Sequence, residues 1–134
     1  MLKVVLDTNI LVSSLLTSGP PASIVDLVAE KKIIPFYSRF ILMEYHYVLS
    51  RKKFGFNLLL VNRLIDNIVN FGIAVEDKFS INKNKINEDD LIFYNAALEA
   101  NAYLITGNIR HFPKESFILT PEQFLVIFWY DNQV

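Results

Sequence analysis

The sequence predicts an α/β protein built on a mostly parallel sheet. Short apolar runs such as Val4-Val5-Leu6 and Leu104-Ile105 alternate with longer segments of helical character. The first of these runs breaks abruptly into Asp7-Thr8-Asn9 before apolar residues resume at Ile10-Leu11-Val12. Strands that alternate with helices imply right-handed crossovers and parallel pairing. In an open parallel sheet, ligands bind at the carboxyl ends of the strands. Asp7 therefore ends its strand where chemistry usually occurs.

The elements follow in order. Strand one spans Lys3 to Leu6 and a helix follows from Thr8 to Leu16, interrupted by Ser18-Gly19-Pro20-Pro21. The prolines suit the first turn of the next helix, about Ala22 to Lys31, with Ile24, Leu27 and Val28 on one face. Ile33 to Tyr37 reads as strand two, and Ser38 can cap a helix from Arg39 to about Arg51. A helix from about Leu58 to Phe71 ends at Gly72, which readily supplies a left-handed C′ conformation. Ile73 to Val75 is a short strand, and residues 76 to 88 form a polar loop. A helix from about Asp89 to Asn101 leads into a strand from Ala102 to Thr106, and Ser116 to Leu119 gives the last strand. Thr120-Pro121-Glu122-Gln123 starts a final helix with a Thr cap, Pro at N1 and Gln at N3.

Composition narrows the function classes. The 134 residues make one domain's worth of chain, read as a single domain over 1–134. A net charge of -1 and a pI near 6.1 give no global basic field, so any nucleic acid must be met by a local cluster of Lys and Arg. The chain has no cysteine, which excludes disulfides, thiolate metal sites and thiol nucleophiles and favours an intracellular, cytoplasmic setting. No apolar run reaches the roughly 18 to 20 residues of a membrane span, and Met1-Leu2-Lys3 has no signal-peptide organisation. The apolar content of 52% is high and points to a large core or a covered apolar surface.

Three acids can share a site. Asp7 reads either as a strand-tip ligand or as a helix N-cap. Glu44 lies three and four residues from Phe40, Met43, Tyr47 and Val48, which places it within an apolar stripe. A carboxylate there must be paired, hydrogen-bonded or metal-bound; Arg51 and Lys52 are the structural alternatives. Asp90 precedes Phe93, Tyr94 and Ala97 at helical spacing, while Glu88 and Asp89 fall on the solvated side of the same first turn. All three also suit the helix macrodipole. Thr106 and Asn108, at the end of another strand, offer neutral oxygens or ordinary turn chemistry. Three carboxylates and an amide oxygen make a hard-cation site that suits Mg²⁺ or Mn²⁺. The simplest chemistry is metal-assisted phosphodiester hydrolysis, with one or two cations generating hydroxide and offsetting developing charge.

The set Val5-Leu6-Asp7-Thr8-Asn9, Glu44, Glu88-Asp89-Asp90 and Glu99-Ala100-Asn101-Ala102-Tyr103-Leu104-Ile105-Thr106-Gly107-Asn108 resembles the PIN domain, in its VapC-like toxin branch. The resemblance covers nearly the whole chain and rests on the order and spacing of these motifs. It implies a three-layer α/β/α PIN-like fold with four to five strands in the central sheet. It also implies a metal-dependent endoribonuclease with Asp7, Glu44 and Asp90 as catalytic, metal-binding acids. Thr8, Asn9, Thr106 and Asn108 would support them, and Thr106 matches the family's polar residue that steadies the carboxylates. Asn108 stands where many relatives carry a fourth acid. That departure removes one charge from a second metal while leaving a carbonyl oxygen as ligand.

RNA would approach this acidic pocket past Arg39, Arg51, Lys52, Lys53, Arg110, His111 and Lys114, each of which also reads as ordinary solvated surface. The resemblance further implies a cognate antitoxin protein and a homodimer. Phe124-Leu125-Val126-Ile127-Phe128-Trp129-Tyr130 is apolar all round, which suits a subunit or partner contact or a deeply docked terminal helix. An Asp-nucleophile phosphatase would want a second acid where Asn9 stands. A phosphorylation receiver would want adjacent acids after strand one, and dinucleotide binding fails for lack of G-x-G-x-x-G. A PIN-like module that binds RNA or protein without cutting is the remaining alternative.

Overall fold

The computed structural model describes residues 1–78, 82 and 84–133, and the loop expected over 76–88 lies partly outside them. Strand β1 (Lys3–Leu6) leads into α1 (Thr8–Leu16) and α2 (Pro20–Ala29), then β2 (Ile34–Tyr37) and α3 (Arg39–Leu49). Next come α4 (Leu58–Phe71), β3 (Ile73–Ala74), α5 (Glu88–Ala100) and β4 (Tyr103–Ile105). A short 3-10 helix (Ile109–His111), β5 (Ile118–Leu119) and α6 (Pro121–Asp131) complete the order. The prolines open α2 themselves, since their fixed φ and missing N–H suit the first turn, so the helix starts two residues before Ala22. The 3-10 helix had no signal in the sequence.

The sheet has five strands in the order β3-β2-β1-β4-β5, and every pairing is parallel. Parallel sheets are covered on both faces, which explains why β1 reads as an unbroken apolar run. Val4, Val5 and Leu6 are buried at its centre. Helix α5 covers one side, packing against β1, β2 and β4. On the other, α2 packs against α4 and α6, while α4 reaches β2 and α6 reaches β5. The result is the expected three-layer α/β/α arrangement. Among the described residues no single helix is long and apolar enough to cross a membrane. The apolar pair α1 and α2, bent by 103°, instead buries Ile10, Leu11, Ile24 and Val28 in the core.

Local capping agrees with the sequence in two places. Ser38 Oγ accepts the Ile41 N–H at 3.2 Å, and Thr120 and Gln123 form a reciprocal capping box at the start of α6. Gly72 differs from expectation. It ends α4 in extended backbone, with φ of -109°, and not in the left-handed conformation. A glycine is needed there for space: an added Cβ would run into the carbonyl oxygens of Pro35 and Ile68, where α4 turns into the edge strand beside β2.

Helix α3 brings a second correction. Its buried face is Ile41, Tyr45 and Leu49, whereas Phe40, Met43 and Tyr47 are exposed. The apolar stripe that seemed to bury Glu44 is therefore a surface. Helix α6 is not deeply docked either. Phe124 is fully buried, but Val126, Trp129 and Tyr130 face solvent.

Gly72→Ala is expected to cost about 1–3 kcal/mol, the usual range for forcing extra volume into a packed site. The check is a lower urea midpoint at unchanged slope. An unaltered midpoint would mean that the close approach to Pro35 and Ile68 does not constrain the backbone.

Candidate active site

The strand order reverses beside β1, with β2 on one side and β4 on the other. A crevice opens at such a switch point, outside the carboxyl ends of the strands. Asp7 sits at this edge, its N–H bonded to the Ile105 carbonyl at 3.0 Å, so the β1–β4 ladder fixes its backbone. Thr106, the residue after β4, is fully buried and donates its hydroxyl to Asp7 Oδ2 at 2.7 Å. The Asn108 N–H donates to Thr106 Oγ1 at 3.0 Å, which leaves the hydroxyl proton for Asp7. Asn9 ties the two strand tips together: its Nδ2 donates to Asp7 Oδ2 at 3.1 Å, and its Oδ1 accepts the Gly107 N–H at 2.9 Å.

Asp7 also occupies the N-cap position of α1, but its side chain makes no cap hydrogen bond. Its carboxylate is turned to Thr106 and Asn9 instead. Burial pushes its pKa above the usual carboxylate range, and repulsion from Asp90 adds to the rise. The Thr106 hydrogen bond and the backbone of Thr8 and Asn9 oppose it. Thr8 Oγ1 is buried beside Asp7 with no hydrogen-bond partner among the described residues.

Asp90 lies in the first turn of α5, above the buried Phe93, Tyr94 and Ala97. Its pKa is also raised, chiefly by burial and then by Asp89, while His111 partly offsets both. His111 Nδ1 stands 3.4 Å from Asp90 Oδ2, so the 3-10 helix after β4 is tied to α5 across the site. A cavity of about 550 Å³ is walled by Asp7, Asn9, Asp90, Asn108 and His111, with Asn87, Glu88 and Asp89 along the α5 side. Glu88 and Asp89 are exposed, and yet they border the site.

Glu44 is half-buried and does not line this cavity. It feels the same field from α3: burial raises its pKa first, and repulsion from Asp89, Asp7 and Asp90 adds to this against the pull of Arg51. Tyr45 sets its position. This fully buried residue donates its hydroxyl to the Leu6 carbonyl at 2.6 Å, while its ring packs near Phe93. One side chain thus hangs α3 on the last residue of β1 and against α5. Tyr45 carried no signal in the sequence beyond its place next to Glu44. The bond between His111 and Asp90 was equally illegible.

Among the described residues, no three His, Cys, Asp or Glu side chains stand together as a ready-made metal cage. The donor set still fits a hydrated Mg²⁺ or Mn²⁺. Mg²⁺ keeps several waters and needs only one or two carboxylates, which Asp7 and Asp90 would supply from the walls of the cavity that Asn108 also borders. Acids whose pKa values are raised by burial and by one another gain most from a cation.

The basic residues are scattered. Arg39 lies in a groove with Glu76 and Asp77. Arg51 stacks over Tyr47 at 5.0 Å and Lys53 over Phe54 at 5.1 Å. Lys52 is simply exposed, whereas Arg110 and Lys114 share a cleft beside the acidic cavity.

An open parallel sheet with acids gathered at its switch point defines an α/β protein that binds its ligands at the strand tips. The chain belongs to the PIN domain family, which residues 3–110 match. PIN domains are generally nucleases, and those nucleases generally use divalent metals. The uncharacterized protein MJ1680 of Methanocaldococcus jannaschii is 33% identical over 111 residues, covering 80% of this chain and 71% of that protein. The crystal structure of PAE2754 from Pyrobaculum aerophilum superposes with a TM-score of 0.53 at 12% identity, over 97% of this chain and 90% of that one. At that identity the likeness concerns the fold alone.

A raised carboxylate pKa fixes a sign for stability. Asp7 binds its proton more tightly folded than unfolded, so its contribution is full below the unfolded value of about 3.9 and is lost as pH rises through the folded value. Asp7→Asn keeps an oxygen for Thr106 and Asn9 and removes the buried charge. In EDTA at pH 7 the variant is expected to melt above wild type, and the gap should close on acidification. A variant that melts below wild type at pH 7 would contradict the burial cost assigned to Asp7.

Proposed function

We propose that this protein is a metal-dependent endoribonuclease, acting as the VapC-like toxin of a toxin–antitoxin pair in the cytoplasm. The observation that carries the reading is the buried Asp7 carboxylate, held by Thr106 and Asn9 at the switch point and facing Asp90 across one cavity. Asp7 and Asp90 would hold Mg²⁺ or Mn²⁺, Asn108 would add a neutral oxygen, and Glu44 would act from the rim. When bound, the cation supplies water activation and stabilises charge on the phosphate. Thr106 and Asn9 orient Asp7, and such hydrogen bonds favour its charged form against the burial that raises its pKa. Tyr45 holds α3, and with it Glu44, at a fixed height above β1. His111 stands against Asp90 and would meet a phosphate at the same site.

The partner assignments rest on exposed apolar surface. Val126, Trp129 and Tyr130 on α6 and Leu58, Leu59 and Leu60 on α4 are exposed. Clusters of this kind on a small domain suit an antitoxin segment or a second subunit. A module that binds RNA or protein without cleaving is the competing reading, favoured by Asn108 and by Glu44 standing outside the cavity.

Cleavage of single-stranded RNA in Mn²⁺ separates the two readings. Wild type should cut and EDTA should stop it. Asp90→Asn should lose at least about a hundredfold, the upper end of what removing a residue that merely supports a metal ligand costs. Mn²⁺ should also raise the melting temperature of wild type, and much less that of Asp7→Asn. Equal cleavage by wild type and Asp90→Asn would assign the activity to a contaminant and leave the binding module standing.

A further inference from the structure

Arg110 and His111 are neighbours in the 3-10 helix but serve different cavities. His111 borders the acidic cavity against Asp90, whereas Arg110 borders a separate cleft of about 700 Å³. That cleft lies over the carboxyl end of β5 and the first turn of α6, through Ile118 and Gln123. Strands in a sheet are roughly 5 Å apart, so the β5 tip stands roughly 10 Å from the β1 tip that bears Asp7.

Donors dominate the polar lining: the Arg110 guanidinium, the Lys114 ammonium, the Ser116 hydroxyl and the Gln123 carboxamide. Gln123 Oε1 already accepts the Thr120 N–H at 2.9 Å, which leaves its NH₂ for a ligand. Glu115, the acid of this lining, has Oε2 engaged by the Tyr94 hydroxyl at 2.9 Å. Neither Arg110 nor Lys114 is in an ion pair among the described residues. The floor is apolar, with Phe112 and Ile118 buried beneath it. The other candidate cations are differently placed. Arg39 shares its groove with two acids, while Arg51 and Lys53 lie on aromatic rings.

We propose that this cleft holds the part of a single-stranded RNA next to the phosphate that enters the acidic cavity. Arg110 and Lys114 take the neighbouring phosphate, and the ribose and base rest on the Phe112–Ile118 floor. The inference rests on the nuclease reading of the adjoining cavity and adds the path of the strand. An acidic cavity repels a polyanion, so affinity must come from cations beside it. Single-stranded RNA is held by such backbone cations together with contacts to its bases.

The test measures binding of a fluorescein-labelled, mixed-sequence single-stranded RNA by anisotropy in EDTA, where metal-dependent cleavage is off. Wild type is compared with Arg110→Gln/Lys114→Gln. A charge-matched control, Lys31→Gln/Lys32→Gln, alters the opposite end of the sheet, before β2. All four positions are exposed, and melting curves confirm that each variant folds. The Arg110/Lys114 variant should bind roughly tenfold more weakly, and its salt slope should fall by about 0.7, the value for one phosphate contact on a single strand. The control should change neither. No measurable binding by wild type overturns the inference. So does an equal loss in both variants. Cleavage by wild type but not Asp7→Asn, with RNA affinity unchanged in Arg110→Gln/Lys114→Gln, keeps the nuclease and removes the cleft. RNA affinity lost with the two cations, without metal-dependent cleavage by wild type, keeps the cleft and removes the nuclease.

Discussion

A carboxylate buried at the tip of the central strand must be given donors, because an unpaired charge out of water is among the costliest features a fold can carry. The side-chain donors of Asp7 are Asn9, two residues on in the chain, and Thr106, whose approach depends on β1 and β4 being side by side and in register. The ladder pairs Leu6 with Ile105, so the next residues, Asp7 and Thr106, leave the sheet together. A slip of one residue would turn the Thr106 side chain to the other face of the sheet. Asn9 closes the arrangement from the first turn of α1, bonded to both strand tips. The Thr106 hydroxyl in turn accepts the Asn108 N–H and, at 3.5 Å, the Asn9 Nδ2.

The other acids are held at a distance from this anchor. Asp90 is carried by α5 and tied by His111, and Glu44 is carried by α3 and located by the Tyr45 bond to the Leu6 carbonyl. Burial raises the pKa of all three carboxylates, and repulsion adds to it: Asp90 acts on Asp7, Asp89 on Asp90, and Asp89, Asp7 and Asp90 on Glu44. That shared direction is the electrostatic mark of acids gathered from three different elements, and such marks concentrate at functional sites. The cavity shared by Asp7 and Asp90 is acidic on the α5 side and bordered by the 3-10 helix on the other. Arg110 and Lys114 therefore sit beside the acids, whereas His111 stands among them against Asp90.

Most of the scaffold was legible because its signals are local. β1, α1, the Ser38 cap and the Thr120 capping box all depend on residues within a few positions of one another. Asp90 was read in the right phase because Phe93, Tyr94 and Ala97 are buried beside it. Glu44 was read for the wrong reason. Phe40, Met43 and Tyr47 are apolar but exposed, and hydrophobicity cannot distinguish a core face from a surface awaiting a partner. Gly72 differs from its expected conformation because what requires a glycine there is space, set by the Ile68 carbonyl of its own helix and by the Pro35 carbonyl of distant β2.

By itself the sequence determined the alternation of strands and helices, the acid at the end of the first strand, and the absence of any thiol chemistry. These are properties of composition and short-range spacing, and they define a parallel α/β fold with an acidic edge. Only the tertiary structure decided which groups satisfy Asp7, which face of α3 is buried, and that Arg110 and His111 border different cavities. Each of those outcomes depends on contacts between residues tens of positions apart. Burial, which sets both the cost of a charge and the need for its partners, exists only once the layers have closed.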